Sequence, residues 1–472
     1  MDLERFLAAL GGCDFFDGDY FIYGYKRRMS EREAGAVAGT GTLRLRKPER
    51  RQMEWVAQCS DDLVAPAHPV RTVAAVVAKL DLSAFGEAIQ AREGVAGREA
   101  TDPELLVALW LYGCIRGIGS ARELARRCEE SVPFRWLCGG VSVNHRMLSE
   151  FRTAHGAALD ELFTQVIASL VDQELVSVSR ISQDGVRVRV SAGSASFRRE
   201  ERLGQLLAES RQHVQELKRQ VEEPEKLAAV VVRKKAAQRR AAEEKQKRVE
   251  RALAQLPELK QRLENRAERA GQGRYGEKIR AQQLRVSSSD AQARVMRMPN
   301  GGYHPAFNVQ LAADVQSRAI VGVEVSNEGY DSAGLSEPMR AQVQRRSGKQ
   351  VRQHLLDGGY LRNRDIERAH QQGVELFLPP KGARRPENRG RELQPKSQDS
   401  EALRAWKLRM ASDEGQKIYR QRAATSETIN ADLRSYRGLT QFTVRGLHKA
   451  RCVALWCALA YNVMHFSAAL LH

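Results

Sequence analysis

The apolar residues of this chain change their spacing near residue 176, and this change limits the possible folds more than any other feature. Before it, residues 69–80 show helical spacing, and Thr101-Asp-Pro-Glu104 combines a cap, a first-turn proline and an early acid, which predicts a helix start. After it, Val176, Val178 and Ile181 alternate with polar residues, as in a strand. The sequence therefore predicts a helical domain over residues 46–175 and a sheet domain over residues 176–472.

The sheet domain alternates strands with helices from residue 306 onward. Strand patterns at 306–313 and 319–325 precede a helix over about 332–346, a strand ending at Asp357, a helix over about 362–371 and a strand at 374–378. This order is typical of an α/β fold with helices on the faces of a mixed sheet. A polar loop over about 380–400 and two helices, over about 413–435 and 450–470, complete the pattern.

A charged segment over residues 198–290 interrupts the sheet domain. Residues 233–251 hold nine Lys and Arg against three Glu, and prolines at 224 and 257 are expected helix breaks. The apolar residues of its first part follow coiled-coil spacing: Leu203, Leu207, Val214, Leu217 and Val221. We expect an inserted helical hairpin, a coiled coil, that mediates self-association or contacts DNA.

The charge balance indicates a polyanionic partner. Lys and Arg total 76 against 58 Asp and Glu, which gives a net charge of +18 and a pI near 9.8. Nucleic acid is the leading candidate, and a generic basic surface is the alternative. Residues 1–45 lack helical or strand periodicity, and we expect a basic, poorly ordered arm there.

Cysteine usage and apolar runs exclude several other classes of protein. The seven cysteines are odd in number and form no CxxC pair or Cys/His ligand pattern, which argues against a disulfide framework or a zinc site. No signal peptide and no uninterrupted 18-residue apolar run is present. We expect a cytoplasmic, soluble protein with no membrane partner, associated with the nucleoid when bound to DNA.

A glycine turn in the helical domain predicts a helix-turn-helix. The helix from Asp102 breaks at Gly117-Ile-Gly-Ser120 and then restarts. Its second helix presents arginines that either meet DNA phosphates or are ordinary surface residues: Arg122, Arg126 and Arg127.

Two aspartates follow predicted strands and are candidate metal ligands. Asp184 comes just after the apolar run 176–181, and Asp357 ends another strand, so both carboxylates can emerge at one sheet edge. Mg²⁺ prefers carboxylate oxygens, so such a pair suits it. Both aspartates precede glycine, however, and Asp-Gly is also a common hairpin turn.

Four phrases follow one another along the sheet domain: Gln183-Asp-Gly-Val-Arg-Val-Arg-Val-Ser-Ala-Gly193, Leu355-Leu-Asp-Gly-Gly-Tyr360, Tyr419-Arg-Gln-Arg-Ala-Ala-Thr-Ser-Glu427 and Arg437-Gly-Leu-Thr-Gln-Phe-Thr-Val-Arg-Gly-Leu447. In wording and in order they resemble the DDE transposases of bacterial insertion sequences. In the helical domain, Asp102-Pro-Glu-Leu-Leu106 and Gly117-Ile-Gly-Ser-Ala-Arg122 are similar to the family as well.

The resemblance implies a ribonuclease-H-like catalytic core. Asp184 would lie on the first strand, Asp357 on the fourth and Glu427 on a late helix, and the three acids would bind two Mg²⁺ ions, with Mn²⁺ as a substitute. The implied activity is hydrolysis at the ends of the element and transfer of the 3′-hydroxyl into target DNA. The implied partner is double-stranded DNA, bound by a homodimer.

The helix over about 413–435 departs from the family pattern. Tyr419, Arg422 and Arg434 are its candidate DNA-binding residues, but four residues instead of three separate Arg422 from Glu427, and Arg434 replaces a lysine. Glu414 is therefore a rival for the third acid. Two other functions stay open: a non-catalytic coiled-coil DNA-binding protein, and a metal-dependent nuclease that cuts without joining.

Overall fold

The computed structural model describes residues 59–87, 89–91, 99–222, 229–331, 334–380 and 391–471. The predicted arm over residues 1–45 lies outside these residues, as does Pro224. Among the helices described, none is long and apolar enough to span a membrane.

Among the residues described, seven α-helices form the N-terminal part. They are α1 (Pro69–Val77), α2 (Ser83–Gly86), α3 (Pro103–Ile115), α4 (Ala121–Glu130), α5 (Val132–Cys138), α6 (His145–Ala154) and α7 (Gly156–Asp172). Asp102 caps α3 by accepting a hydrogen bond from the Glu104 N–H at 2.8 Å, and α3 begins at Pro103, so the predicted helix start is confirmed. Helix α3 is buried along most of its length, because apolar residues occupy all its sides.

Five strands make the centre of one mixed sheet. They are β1 (Arg180–Arg189), β5 (Tyr303–Asp314), β6 (Ile320–Ser326), β7 (Gln353–Leu355) and β8 (Glu375–Phe377), in the spatial order β6-β5-β1-β7-β8. Strand β5 pairs antiparallel with β1 and β6, whereas β7 is parallel to β1 and to β8. Strand β4 (Arg294–Arg297) pairs with the start of β5. The chain is therefore a mixed α/β protein with its first strand in the middle of the sheet.

Helices cover this sheet and join it to the N-terminal part. The remaining ones of the sheet domain are α12 (Ser336–Ser347), α13 (Asn363–Gln371), α14 (Glu401–Ala411), α15 (Asp413–Ser435), α16 (Leu447–His465) and α17 (Ser467–Leu470). Helix α16 packs on β6 and also on α3 and α7. Its buried Asn462 binds both the N–H and the carbonyl of Ile320, at 2.9 and 2.8 Å. One apolar core thus runs from the N-terminal helices into the sheet.

In the described residues of the charged segment between β1 and β5, the chain folds as four α-helices. They are α8 (Glu200–Glu222), α9 (Ala229–Ala254), α10 (Leu256–Ala270) and α11 (Arg274–Arg280). Helices α8 and α9 pack on each other, and Leu203, Val214 and Leu217 are buried there. A short ladder between β2 (Phe197–Arg198) and β3 (Val286–Ser287) joins the two ends of the segment. Because of this ladder, about ninety residues leave the sheet domain and return to it at one place. The segment is therefore more than the single helical hairpin expected from the sequence.

The structure corrects three expectations from the sequence. Residues 176–179 are not a strand, because Val178 has a left-handed φ of 50° and its N–H bonds to Asp314. Asp184 and Gly185 lie inside β1, so the alternative of a hairpin turn at Asp184 is wrong. Helix α14 lies between the loop expected over about 380–400 and the helix expected over about 413–435, where no element was predicted.

Candidate active site

Asp184 and Asp357 lie at the same level of two neighbouring parallel strands. Ser182 of β1 pairs with Leu355 of β7, and each aspartate follows two residues later. Asp357 caps the short 3₁₀ turn Gly358–Tyr360 and accepts a hydrogen bond from the Gly359 N–H. This register brings the two acids to one level of the sheet, but the predicted position at a strand end is wrong for Asp184, which lies inside β1.

A third carboxylate, that of Asp331, is held beside them. The side-chain amides of Asn308 and Gln310 both donate to Asp331 Oδ1 at 2.9 Å. A Cβ on Gly185 would lie 2.7 Å from Asn308 Oδ1 and 2.5 Å from Asp331 Oδ1. Only glycine therefore fits next to Asp184, and its absent side chain leaves room for Asp331.

Sequence reasoning missed Asp331, which lies in the loop after β6. The sequence feature that indicates a group such as Asp331 is the pair Asn308 and Gln310. These two amides occupy alternate positions in the largely apolar middle of strand β5. Alternate residues of a strand share one face, so two buried amides on one face indicate a polar partner there.

The three aspartates act on each other and on one tyrosine. Burial raises the pKa of Asp184 to about 6, and Asp357 and Asp331 add to the increase, whereas Arg422 and the Gly185 N–H oppose it. Burial also raises the pKa of Tyr360, and the three aspartates raise it further. All three carboxylates thus face one region, and their mutual repulsion is of the kind that a bound cation relieves.

Helix α15 supplies the groups that contact Asp184. Asn430 Nδ2 donates to Asp184 Oδ2 at 3.0 Å, and the Ser426 and Ser182 hydroxyls lie 2.6 Å apart. Arg422 Nη1 lies 3.8 Å from Asp184 Oδ2 and is buried without a hydrogen-bond partner in the described part of the chain. This leaves an unused donor beside the carboxylate.

Tyr419 lies on the same helix as Arg422 and acts on it. Burial lowers the pKa of Arg422, but the tyrosine, by charge and hydrogen bond, and the carboxylates of Asp184 and Asp357 raise it above its ordinary value. Arg422 is therefore held as a cation within reach of both aspartates.

Glu427 and Arg434 are exposed on α15. Glu427 follows Ser426 directly and precedes Asn430 by three residues, so it lies roughly 4.5 Å along the helix axis from the group that binds Asp184. Glu414 is sixteen residues before Asn430, which is roughly 24 Å along the axis. Among the residues described, no three His, Cys, Asp or Glu side chains already surround one point as a metal site would.

The arginines of α4 are not part of this cluster. Arg126 and Arg127 form ion pairs with Glu123 of their own helix, Arg127 at 2.9 Å. Arg122 is exposed and lines a separate groove.

The inserted segment borders the site on the Asp357 side. A cavity of about 780 Å³ lies next to the turn that follows Asp357. Its walls include Gly358 and Gly359 and four arginines, three of them from α10: Arg262, Arg266, Arg269 and Arg362. The charged insertion therefore presents cations beside the carboxylates.

Comparison with known families gave two matches. Residues 58–154 match the family described as a transposase domain (DUF772), and residues 277–463 match the transposase DDE domain. The second match contains Asp357 and Glu427, whereas Asp184 lies before it, on the other side of the insertion. No curated protein and no solved structure matched the chain. With both domains present in this order, the chain belongs to the DDE transposases of insertion sequences.

Proposed function

We propose that this transposase cuts DNA at the ends of its element and joins the freed 3′-hydroxyl to target DNA, with Asp184, Asp357 and Glu427 as its catalytic acids. The observation that carries the proposal is the shared level of Asp184, on β1, and Asp357, just after the parallel strand β7, next to the buried Nη1 of Arg422. The spatial order β6-β5-β1-β7-β8 supports a ribonuclease-H-like core. Asp184 lies on β1 and Asp357 just after β7, which are the first and fourth of these five strands along the chain.

The donor set fits Mg²⁺, with Mn²⁺ as a substitute. It consists of carboxylate oxygens, and a bound cation would stabilise the ionised form of Asp184, whose pKa is raised first by burial and then by Asp357 and Asp331. Asp184, Asp357 and Glu427 would hold the metal, which supplies charge stabilisation at the phosphodiester and a more acidic water. Asn430 orients the Asp184 carboxylate, and the free Arg422 Nη1 would donate to a phosphate oxygen.

The other candidate DNA contacts are assigned by position. Tyr419 supports Arg422, and Arg434, exposed on the same helix, would contact a flanking phosphate. Arg122 would contact DNA from α4, and Arg126 and Arg127 would do so after giving up their ion pairs with Glu123. A homodimer would bring two element ends together.

The test compares Asp184→Ala and Asp357→Ala with wild-type protein. We expect both variants to bind DNA normally but to lose Mg²⁺-dependent nicking and joining, because affinity comes from cations spread over the surface. Asp172→Ala, at the exposed end of α7, is the matched control and should keep full activity.

Three results would contradict the proposal or change it. Nicking at the wild-type rate by either alanine variant would remove the aspartates from the site. Wild-type protein that binds DNA but never cuts it would favour the non-catalytic DNA-binding function. Cutting without joining would favour a nuclease.

A further inference from the structure

A large groove lies between three parts of the chain that are far apart in sequence. Its volume is about 1330 Å³, and its walls come from α4 and α6, from α9 of the insertion, and from residues 443–449 before and at the start of α16. The last wall is fixed in place, since the Gly446 N–H donates to Asp290 Oδ2 and the Leu447 N–H to Gln292 Oε1, both at 2.9 Å.

The walls of this groove are strongly basic. Among the described residues that line it, three carboxylates, Glu150, Glu244 and Asp290, stand against seven cations: Arg122, Arg146, Arg152, Arg248, Arg251, Arg445 and Lys449. Asp290 is already occupied by backbone N–H groups, and Glu244 lies 3.8 Å from Arg248. Most of the positive charge is therefore left for a ligand.

One of these cations is buried without a carboxylate. Arg152 is 5% exposed, stacks on the Trp110 ring and donates to the Gly119 carbonyl and the Thr443 hydroxyl. Its Nε has no hydrogen-bond partner in the part of the chain described. A buried and incompletely bonded guanidinium costs free energy unless an anion approaches it.

Three helices also begin at this groove. The first residues of α4, α6 and α16 line it, and these helices are 10, 10 and 19 residues long. The N-terminal end of a helix carries a partial positive charge and favours phosphate groups. Three such ends around one cavity give a second, independent reason to expect an anion.

Arginines from separate elements crowd together at one side of the groove. Burial lowers the pKa of Arg248, and the nearby charges of Arg445 and Arg251 lower it further. Arg248 and Arg251 belong to the insertion, whereas Arg445 belongs to the segment before α16. Like charges held together in this way are stabilised when phosphates come between them.

We propose that this groove binds the phosphate backbone of duplex DNA at a place separate from the carboxylate site. The inference goes beyond the proposed chemistry, because it gives the insertion a binding function. Ser191, which lines the groove, lies seven residues after Asp184, and strand β1 covers the first five of these residues, or roughly 17 Å. The groove would thus hold DNA at least about five base pairs from the cleaved phosphate, at 3.4 Å per base pair along each strand.

The test compares two variants. One removes three positive charges from the groove, and the other removes three from the part of α9 that lies outside the groove. The groove variant is Arg248→Gln, Arg251→Gln and Arg445→Gln. The control is Arg240→Gln, Lys245→Gln and Lys247→Gln, which are exposed on α9 and do not line the groove. Affinity for a labelled duplex of mixed sequence is measured at several NaCl concentrations without divalent ions.

The groove variant should bind DNA at least about tenfold more weakly than the control. The slope of log affinity against log salt should become less steep by about 2 to 3, because each lost phosphate contact makes it less steep by about 0.9. A triple lysine variant of the same three arginines should keep most of the slope, and it shows that the groove still folds. Equal affinity and slope for the groove variant and the control would overturn the inference. Equal losses in the lysine and glutamine variants would do so too.

The outcome is separable from that of the proposed function. If wild-type protein cuts DNA and the groove variant binds as the control does, the groove inference fails and the chemistry stands. If wild-type protein does not cut but the groove variant loses affinity, the groove stands and the chemistry fails.

Discussion

The ionisation of Asp184, a proposed catalytic acid, opposes folding. Burial, followed by Asp357 and Asp331, raises its pKa from 3.8 to about 6, and its side chain is only 21% exposed. The folded protein therefore holds this proton more tightly than the unfolded chain does. Stability is lost as the pH rises from about 4 to about 6, by up to about 3 kcal/mol.

Asp184→Asn should remove this loss. In metal-free buffer near pH 8, we expect the variant to have a higher free energy of unfolding than wild type, by about 1 to 3 kcal/mol. Near pH 3 the two proteins should be nearly equal, because the aspartate is then largely protonated in both the folded and the unfolded protein. Urea unfolding with a chelator present measures the difference, and identical curves near pH 8 would show that Asp184 is not strained by charge.

The residues of the site differ in how far the sequence reveals them. Asp184 and Asp357 could be predicted because each lies in or after an apolar strand, which is a local pattern. Asp331 and Asn430 could not, because their positions depend on contacts with β5 and β1 that are formed only in the fold. Glu427 remains a prediction that its place on α15, one turn from Asn430, supports.

We expect helix α10 to give the insertion a second contact with DNA. Arg266 and Arg269 line the cavity beside Gly358 and Gly359, and both are exposed. Changing both arginines to Gln should raise the KM for DNA by about a hundredfold or more, because each charge-assisted hydrogen bond contributes about 1.5 kcal/mol or more and about 1.4 kcal/mol corresponds to a factor of ten. The kcat should change by less than about twofold, since these side chains do not touch the carboxylates.

The control for this prediction is the double change Arg274→Gln and Lys278→Gln on α11, which removes equal charge from exposed positions outside the cavity. Steady-state cleavage at saturating Mg²⁺ separates KM from kcat. A similar KM for the two double variants would mean that α10 does not contact the substrate.

Helical elements with clear amphipathic patterns were predicted well, and those that depend on partners were not. Helix α15 spans Asp413–Ser435, as its pattern predicts. Helix α14 was missed, and its Trp406 and Met410 are buried against β8 and its surroundings. The break at the start of α10, where Pro257 is the second residue, was predicted from the proline alone.

At the scale of the whole molecule, one carboxylate ties the helical part to the sheet domain. Asp160 of α7 accepts hydrogen bonds from Arg346 of α12 at 2.5 Å and from Arg451 of α16 at 2.7 Å. Burial raises the pKa of Asp160, but the two guanidinium groups outweigh it and hold the pKa below its ordinary value. This contribution to stability is present above about pH 4 and is lost as the pH falls further.

Asp160→Ala should lower the free energy of unfolding by about 3 kcal/mol at neutral pH, because Arg346, whose side chain is fully buried, loses its counter-charge. The deficit should shrink in acid, where the wild-type carboxylate is neutral as well. Glu161→Ala, exposed on the same helix, is the control for chemical denaturation. A deficit that does not change with pH would assign the effect to packing and not to charge.

The connection between the domains was not predictable from periodicity. The apolar C-terminal helix was expected, but a helix that is apolar on most sides does not reveal which elements cover it. In the structure α16 fills the space between α3, α7 and β6, so the last part of the chain completes the first domain.

The central claim is that Asp184, Asp357 and Glu427 share one metal centre, and local backbone cleavage by Fe²⁺ tests it most directly. Fe²⁺ bound in place of Mg²⁺, with ascorbate and peroxide, generates radicals that cut the chain next to the ion, and mass spectrometry locates the cuts. We predict cuts near residues 184, 357 and 427 that added Mg²⁺ suppresses together. If the cuts near 184 and 357 are accompanied by one near Glu414, or by none on α15, Glu427 does not share the metal centre and the central claim is contradicted.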